Sequence, residues 1–174
     1  MILTVAIMIL CVILDQWTKV LAVEKLTEIA TYPLIENIFH FTYVENRGAA
    51  FGMLADHRWV FMVFSTIAIL VMLGWLFWEK PKSWWIRVSA AFIIAGGIGN
   101  MIDRVRLGYV VDFIDCRFID FYVFNVADSF VCVGCAMFLM AAVYMEIMEA
   151  KKKKAAQADG SAEDGDGDES EHGT

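Results

Sequence analysis

The stretch WVFMVFSTIAILVMLGWLFW, residues 59–78, decides the fold class of this 174-residue chain. It carries no charged side chain, and a helix of about 20 residues spans a bilayer hydrocarbon core of about 30 Å. We therefore predict a transmembrane helix here. Apolar residues make up 59% of the chain, more than a soluble domain of this size could bury. The other stretches that predict such helices are Ile2–Val23, Val88–Ile102 and Phe124–Met148.

These helices divide the chain into two predicted parts. Residues 1–150 form a four-helix transmembrane domain with an outer β segment at about 24–57, so the predicted fold class is an all-α membrane protein with a small extracytoplasmic β-sheet. Residues 1–157 carry 14 basic and 14 acidic side chains, so the net charge of −7 belongs to the residues after them. Residues 151–174 are Lys-rich, then acidic, and are predicted to form a disordered cytoplasmic tail.

Basic residues indicate which side of the membrane each loop faces. The run Lys151–Lys154 directly follows the last helix, and Lys80, Lys82 and Arg87 lie between the second and third helices. Cytoplasmic loops are enriched in Lys and Arg. We therefore expect a multi-pass protein with both termini in the cytoplasm.

The first outer segment has the pattern of a β-strand. Residues 38–44, IFHFTYV, are mostly aromatic or β-branched, and Asn46-Arg47-Gly48 follows as a turn. A small sheet on the outer membrane surface is expected.

Polar residues occupy the outer ends of three predicted helices. A carboxylate at membrane depth is costly and usually faces a protein interior or a water-filled pocket. Because these residues lie at the same ends, we expect them to converge on one site near the outer surface. They are Asp15, Gln16 and Lys19 in the first helix, Asn100, Asp103 and Arg104 in the third, and Asn125 and Asp128 in the fourth.

Some of these residues also have a purely structural interpretation. Asp15 and Lys19 are four residues apart on one helix and could form a simple ion pair. Asp103 could be a satisfied network member that the neighbouring Arg104 guanidinium holds ionised.

Two other carboxylates have no cation close in sequence. Asp112 lies in the apolar segment VVDFI, and Asp128 has no basic residue within a helical turn. Asp115 and Asp120, in contrast, are near Arg117 and are expected to be solvated. If Asp112 and Asp128 meet in a low-dielectric pocket, one keeps a proton while the other acts as a base, which is the arrangement that acid–base peptide hydrolysis requires.

The histidines and cysteines do not indicate another chemistry. His40, His57 and His172 have no zinc-site spacing and lie outside the apolar clusters, so we expect neither a metal nor a Ser-His or Cys-His nucleophile, and no cofactor. Cys132 and Cys135 form a C-x-x-C within the fourth helix and are interpreted as buried apolar filler.

Five motifs in order resemble those of the lipoprotein signal peptidase family. Each is weak alone, but together they are specific. They are DQWTK at 15–19, NRGAAFG at 46–52, GGIGNMIDR at 96–104, GYVVDFI at 108–114 and FNVADS at 124–129.

The resemblance implies an aspartic endopeptidase of the bacterial inner membrane, with its active site near the outer face. It would remove signal peptides from prolipoproteins by cutting before a diacylglyceryl-modified cysteine, and it would bind membrane lipid and the inhibitor globomycin but no nucleic acid. The implied catalytic residues are Asp112 and Asp128. Residues implied to bind the substrate or orient the dyad are Asn46, Arg47, Asn100, Arg104 and Asn125, and the implied supporting positions are Asp15, Asp103 and Ala127.

Two other functional classes remain open at this point. A small transporter or channel could use intramembrane aspartates to relay protons, but it predicts polar residues through the whole membrane depth. A non-catalytic assembly or lipid-binding protein leaves Asn46-Arg47 and Asp112 unexplained.

Proteolysis by this chain should survive strong chelators, because the sequence offers no plausible set of metal ligands around the aspartates. Cleavage of a lipidated prolipoprotein with and without EDTA measures this. Loss of activity in EDTA with recovery on adding zinc would contradict the aspartate mechanism.

Overall fold

The computed structural model describes residues 1–48, 58–119 and 121–163. Among these residues, four helices are long and apolar enough to cross a membrane, and the strands form one three-stranded antiparallel sheet in the order β1-β2-β3. The predicted fold class is confirmed. The elements in chain order are α1 (Ile2–Leu26), β1 (Thr31–Ile35), β2 (Phe39–Asn46), α2 (Arg58–Glu79), α3 (Trp84–Arg106), β3 (Val110–Cys116), a 3-10 turn (Arg117–Ile119) and α4 (Val126–Glu163).

Small residues on α3 allow close packing of the helices. Ala90, Ala91 and Ala95 are buried, and they form one apolar cluster with Met8 of α1 and Leu76 of α2. Close approach of backbones through small side chains is typical of helices in lipid, where dispersion contacts replace the hydrophobic effect as the driving force.

The third strand, β3, follows α3 and pairs with β2 along its length. The sequence predicts β2 well, at 38–44 against the observed Phe39–Asn46, but it shows β3 only as a short apolar segment. Side chains alternate along a strand. Val111 and Phe113 therefore pack on α1, against Ala22 and Leu26, while Asp112 points to the opposite face.

Helix α4 departs from the sequence predictions in two ways. It continues as helix to Glu163, past the predicted boundary at residue 150, and an ion pair of 2.9 Å between Glu149 and Lys153 supports this extension. Residues after 163 lie outside the described part.

The second difference concerns the cysteines of α4. Cys132 and Cys135 are exposed, so their interpretation as buried filler is wrong, and the buried residue between them is Gly134. The chain divides into two compact units between Phe138 and Leu139.

Two glycines of α3 set its distance from the start of α4. A Cβ atom at Gly96 would collide with the Ala127 carbonyl oxygen and would lie 2.7 Å from a Val131 methyl carbon. A Cβ at Gly99 would collide with the Asp15 carboxylate and lie 3.3 Å from the Ala127 Cβ. Gly96 and Gly99 therefore allow α3 to approach the first turns of α4 closely.

Replacing Gly99 by Ala should destabilise the protein by about 1–3 kcal/mol, because the added methyl group displaces buried Asp15. Thermal unfolding in detergent measures the change. Gly74→Ala on α2 is the matched control, since no atom lies within 4 Å of its added Cβ and Ala is the better helix former. Equal melting temperatures for the two variants would contradict this account.

Candidate active site

The predicted polar clusters meet at the beginning of α4. Side chains from α1, α3, β2 and β3 reach this point, and most of them are buried. The residues joined there by hydrogen bonds or ion pairs are Asp15, Gln16, Lys19, Asn46, Asn100, Asp103, Asp112, Asn125, Ala127 and Asp128.

The first turn of α4 holds Asp128 by a reciprocal cap. The Asn125 Oδ1 accepts from the Asp128 backbone N–H at 3.0 Å, and the Asp128 Oδ2 accepts from the Asn125 N–H at 3.2 Å. This is the arrangement of a capping box, in which N-cap and N3 side chains satisfy each other's backbone donors. Asp128 therefore keeps a fixed orientation, with its Oδ1 facing the Asn100 Nδ2 at 2.7 Å.

Asp15 satisfies another backbone donor at the same helix end. Its Oδ1 accepts from the Ala127 N–H at 3.0 Å. Both residues are fully buried, and the small Ala127 side chain fits against Gly99 of α3. Asp15 thus joins α1 to the positive end of the α4 dipole, where a negative charge is stabilising.

Asp112 reaches the site from β3 and is 2% exposed. Its Oδ2 accepts from the Asn46 Nδ2 at 2.8 Å, and its Oδ1 accepts from the Asn125 Nδ2 at 2.7 Å. Asn125 therefore hydrogen-bonds to both Asp112 and Asp128. The two carboxylates without a sequence-adjacent cation lie on either side of one asparagine.

Burial sets the protonation behaviour of Asp112. Loss of hydration, together with the negative charge of Asp128, raises the pKa of the Asp112 carboxyl to about 6. The hydrogen bonds from Asn46 and Asn125 and the charge of Lys19 oppose this rise. Asp112 is consequently able to gain or lose a proton near neutral pH.

Asp103 interacts with two cations. Its Oδ2 forms an ion pair of 2.9 Å with the Lys19 ammonium of α1, and the charge of the adjacent Arg104 also interacts with it. Residues i and i+1 of a helix do not face each other, so the close contact is with Lys19. The Asp103 carboxylate also accepts from the Val111 N–H at 3.2 Å, and it thereby fixes β3 next to α3.

Of the two arginines implied to bind substrate, Arg104 lies next to the site and Arg47 is exposed at the surface. Arg104 approaches the Asn100 carbonyl oxygen at 3.5 Å, and its charge interacts with Asp112 and Asp128. Arg47 is exposed, forms a 2.8 Å ion pair with Glu45 and lies over the ring of Tyr109.

A cavity of about 290 Å³ lies beside the site. Asn100 and Arg104 line it together with apolar residues of α2, α3 and α4, among them Ile69, Ile94 and Val131. Apolar walls with a few convergent polar groups are typical of ligand sites.

Asp115 does not have the solvated environment expected from the sequence. It is 7% exposed, and its Oδ2 accepts from the Thr42 hydroxyl at 2.6 Å and the Arg117 Nε at 3.0 Å. Burial raises the pKa of the Asp115 carboxyl, but these hydrogen bonds and the Arg117 charge together lower it below its ordinary value. Asp115 lies in the β2–β3 ladder opposite His40, and Asp120 is outside the described residues.

Two residues of the site have no place in the catalytic, substrate-binding or supporting set that the resemblance implies. The sequence predicts that Lys19 and Gln16 converge on the site with Asp15, and both do so. The Gln16 Nε2 donates to Asp15, to Asp103 at 3.0 Å and to the Gly99 carbonyl oxygen. The spacing of Lys19 relative to Asp15 is a usable signal, because residues four apart share a helix face. Gln16, which directly follows Asp15, has no such spacing.

Comparison with known proteins assigns a family to this arrangement. Residues 7–144 match the family described as signal peptidase (SPase) II. The lipoprotein signal peptidase of Clostridioides difficile (strain 630) is 44% identical over 149 residues, covering 86% of this chain and 98% of that protein. The lipoprotein signal peptidase of Caldanaerobacter subterraneus subsp. tengcongensis is 49% identical over 130 residues, covering 75% and 88%.

Solved structures share this fold. A structure described as a bacterial membrane enzyme, obtained by the in meso method at 2.3 Å resolution, has a TM-score of 0.75 and 30% identity and covers 81% of this chain and 87% of that one. A second structure of the same description, at 1.9 Å, has a TM-score of 0.72. With four membrane helices among the described residues and a family match over most of its length, this chain is a multi-pass membrane protein of the signal peptidase II family.

Proposed function

We propose that this protein removes signal peptides from prolipoproteins by aspartic catalysis at Asp112 and Asp128, cutting before the lipid-modified cysteine. The observation that carries the aspartic assignment is Asn125, whose side-chain amide and backbone hydrogen-bond to both carboxylates at 2.7–3.2 Å. Two carboxylates held by neutral donors in a low-dielectric site are suited to sharing one proton.

In the proposed first step, the Asp128 carboxylate takes a proton from water as the water oxygen bonds to the scissile carbonyl carbon. Asp112, whose raised pKa favours the protonated form, donates its proton to the carbonyl oxygen. The product is a neutral gem-diol, and the dyad still holds one proton, now on Asp128.

In the second step, Asp128 donates that proton to the amide nitrogen, and Asp112 takes a proton from a gem-diol hydroxyl. The C–N bond breaks, which releases the signal peptide with a new carboxyl group and the lipoprotein with a free amine. The dyad returns to its starting protonation state, so turnover consumes only water.

The remaining polar residues are proposed to hold the substrate and the dyad. Asn46 and Asn125 fix Asp112, and Asn100 fixes Asp128. Arg104 borders the cavity and can bind a carbonyl of the substrate, while exposed Arg47 can contact the peptide outside it. Acyl chains in the bilayer would fix the depth of the scissile bond, so that binding energy remote from the reaction aligns it with the dyad.

The proposed location is the bacterial cytoplasmic membrane, with both termini in the cytoplasm and the site near the outer face. The lysines that follow the last membrane span support this orientation. Globomycin is the proposed inhibitor, because it would compete with the lipidated substrate for the dyad. The direct test is incubation of purified protein with a lipidated prolipoprotein and detection of the released signal peptide.

Asp112→Asn and Asp128→Asn should each lower kcat by at least about a thousandfold, because each removes one proton-transfer group while keeping the side-chain shape. Turnover of lipidated prolipoprotein and binding of globomycin are the two measurements, and binding should remain detectable. Asp103→Asn is the comparison, with its effect expected mainly on stability, since it removes the ion pair with Lys19. The dyad is wrong if folded Asp112→Asn cleaves at close to the parental rate while Asp103→Asn binds substrate and does not cleave it.

The pKa of Asp112, raised to about 6, sets an expected pH dependence. Below that pH the carboxyl is mostly protonated and can act as the acid; above it the proton is lost, so kcat/KM should fall by about tenfold per pH unit. The fall in kcat should begin at higher pH, because bound substrate excludes water and raises the pKa further. A kcat/KM that increases through this range would contradict the role of Asp112 as the acid.

A further inference from the structure

The ammonium group of Lys19 has an unusual environment for a membrane helix. The residue is 3% exposed, and its Nζ lies 3.1 Å from the Asp15 Oδ2, 2.9 Å from the Asp103 Oδ2 and 2.8 Å from the Asn100 Oδ1. An ammonium has three N–H donors, so these three acceptors use all of them. Lys19 is therefore held in one position.

The contact between Lys19 and Asn100 helps to orient the Asn100 side chain. The Asn100 Oδ1 accepts from Lys19 and also from the Asn125 Nδ2 at 3.0 Å. Because an ammonium can only donate, the oxygen of the Asn100 carboxamide must face Lys19. The Nδ2 then faces the Asp128 Oδ1, to which it donates at 2.7 Å. Lys19 and Asn125 together thus orient Asn100 so that its Nδ2 faces Asp128.

The charge of Lys19 also acts on the proposed dyad directly. It lowers the pKa of the Asp112 carboxyl, against the effects of burial and of Asp128. When the dyad holds one proton, its remaining negative charge and those of Asp15 and Asp103 face the positive charges of Lys19 and Arg104. Without Lys19, only the positive charge of Arg104 remains. The charged and titratable groups involved are Asp15 and Lys19 from α1, Asp103 and Arg104 from α3, Asp112 from β3 and Asp128 from α4, while β2 contributes the neutral amide of Asn46.

We infer that Lys19 is a positioning residue of the proposed peptidase, orienting Asn100 toward Asp128 and supplying the buried positive charge that sets the pH range in which the dyad holds a single proton. This inference rests on the proposed function. It differs from a structural role because it predicts a change in pH dependence, which lost stability alone does not produce.

The test compares the pH profile of kcat/KM for lipidated prolipoprotein in purified parental protein and in variants whose folding is checked by thermal unfolding. Lys19→Met should move the alkaline limb to higher pH by on the order of one unit, because loss of a nearby positive charge raises a carboxyl pKa. It should also lower kcat by at least about tenfold, since the Asn100 Oδ1 loses one of the two donors that orient it. Lys25→Met is the matched control: it removes the same charge from the same helix, but at an exposed ion pair with Glu24, and should leave the profile unchanged.

Lys19→Met leaves two buried carboxylates without their cation, which is destabilising. If it does not fold, two further variants test the inference. Asp103→Asn removes a negative charge and should move the limb to lower pH. The double variant Lys19→Met/Asp103→Asn removes one charge of each sign, and its limb should return close to the parental position while kcat stays low.

The inference would be overturned if the alkaline limbs of Asp103→Asn and the double variant lay at the same pH. It would also be overturned if folded Lys19→Met had the pH profile of the parental protein. A shift with Lys25→Met equal to that with Lys19→Met would do the same. If the parental protein itself did not cleave, the proposed function would fail, which is a separate result.

Discussion

The beginning of α4 is the constraint on which the rest of the site depends. The first N–H groups of a helix have no partner within the helix, and hydrocarbon offers no water to replace one. Here the partners are side chains: Asn125 and Asp128 cap the turn reciprocally, and Asp15 of α1 accepts from Ala127. Satisfying the backbone therefore concentrates carboxylates where a helix dipole stabilises negative charge.

The four carboxylates of the site divide into two kinds. Asp15 and Asp103 share the buried ammonium of Lys19, at 3.1 and 2.9 Å. Asp112 and Asp128 instead accept from the amides of asparagines and from backbone N–H groups. The two kinds of carboxylate therefore differ in the charge of the donors that hold them. Under the proposed function, Asp15 and Asp103 anchor helices and β3 while Asp112 and Asp128 transfer protons.

The small sheet matters because it carries Asp112 into a site otherwise built from helices. Val111 and Phe113 pack on the end of α1, and the Val111 N–H donates to Asp103. Strand alternation then turns Asp112 toward Asn125. Pairing of β3 with β2 also places Asn46 next to Asp112, so the amide and the carboxylate that it holds come from neighbouring strands.

The sequence by itself determined the four apolar helices, strand β2, the positions of the polar residues at the helix ends and the motifs of the family. These features follow from hydrophobic length and from spacing along single elements, which are local properties. The choice of Asp112 and Asp128 as the pair without sequence-adjacent cations also came from local spacing.

Tertiary structure alone decided which side chains meet. The sequence placed Arg104 beside Asp103, yet successive helical residues point about 100° apart, and the cation in close contact with Asp103 is Lys19 of another helix. Asp115 was expected in solvent because Arg117 is near it, but pairing of β3 with β2 buries it under Thr42. The rotation of α4 about its axis, which exposes Cys132 and Cys135, depends on the packing of Gly96 and Gly99 against its first turns. These are contacts between residues far apart in the chain, and local spacing carries no information about them.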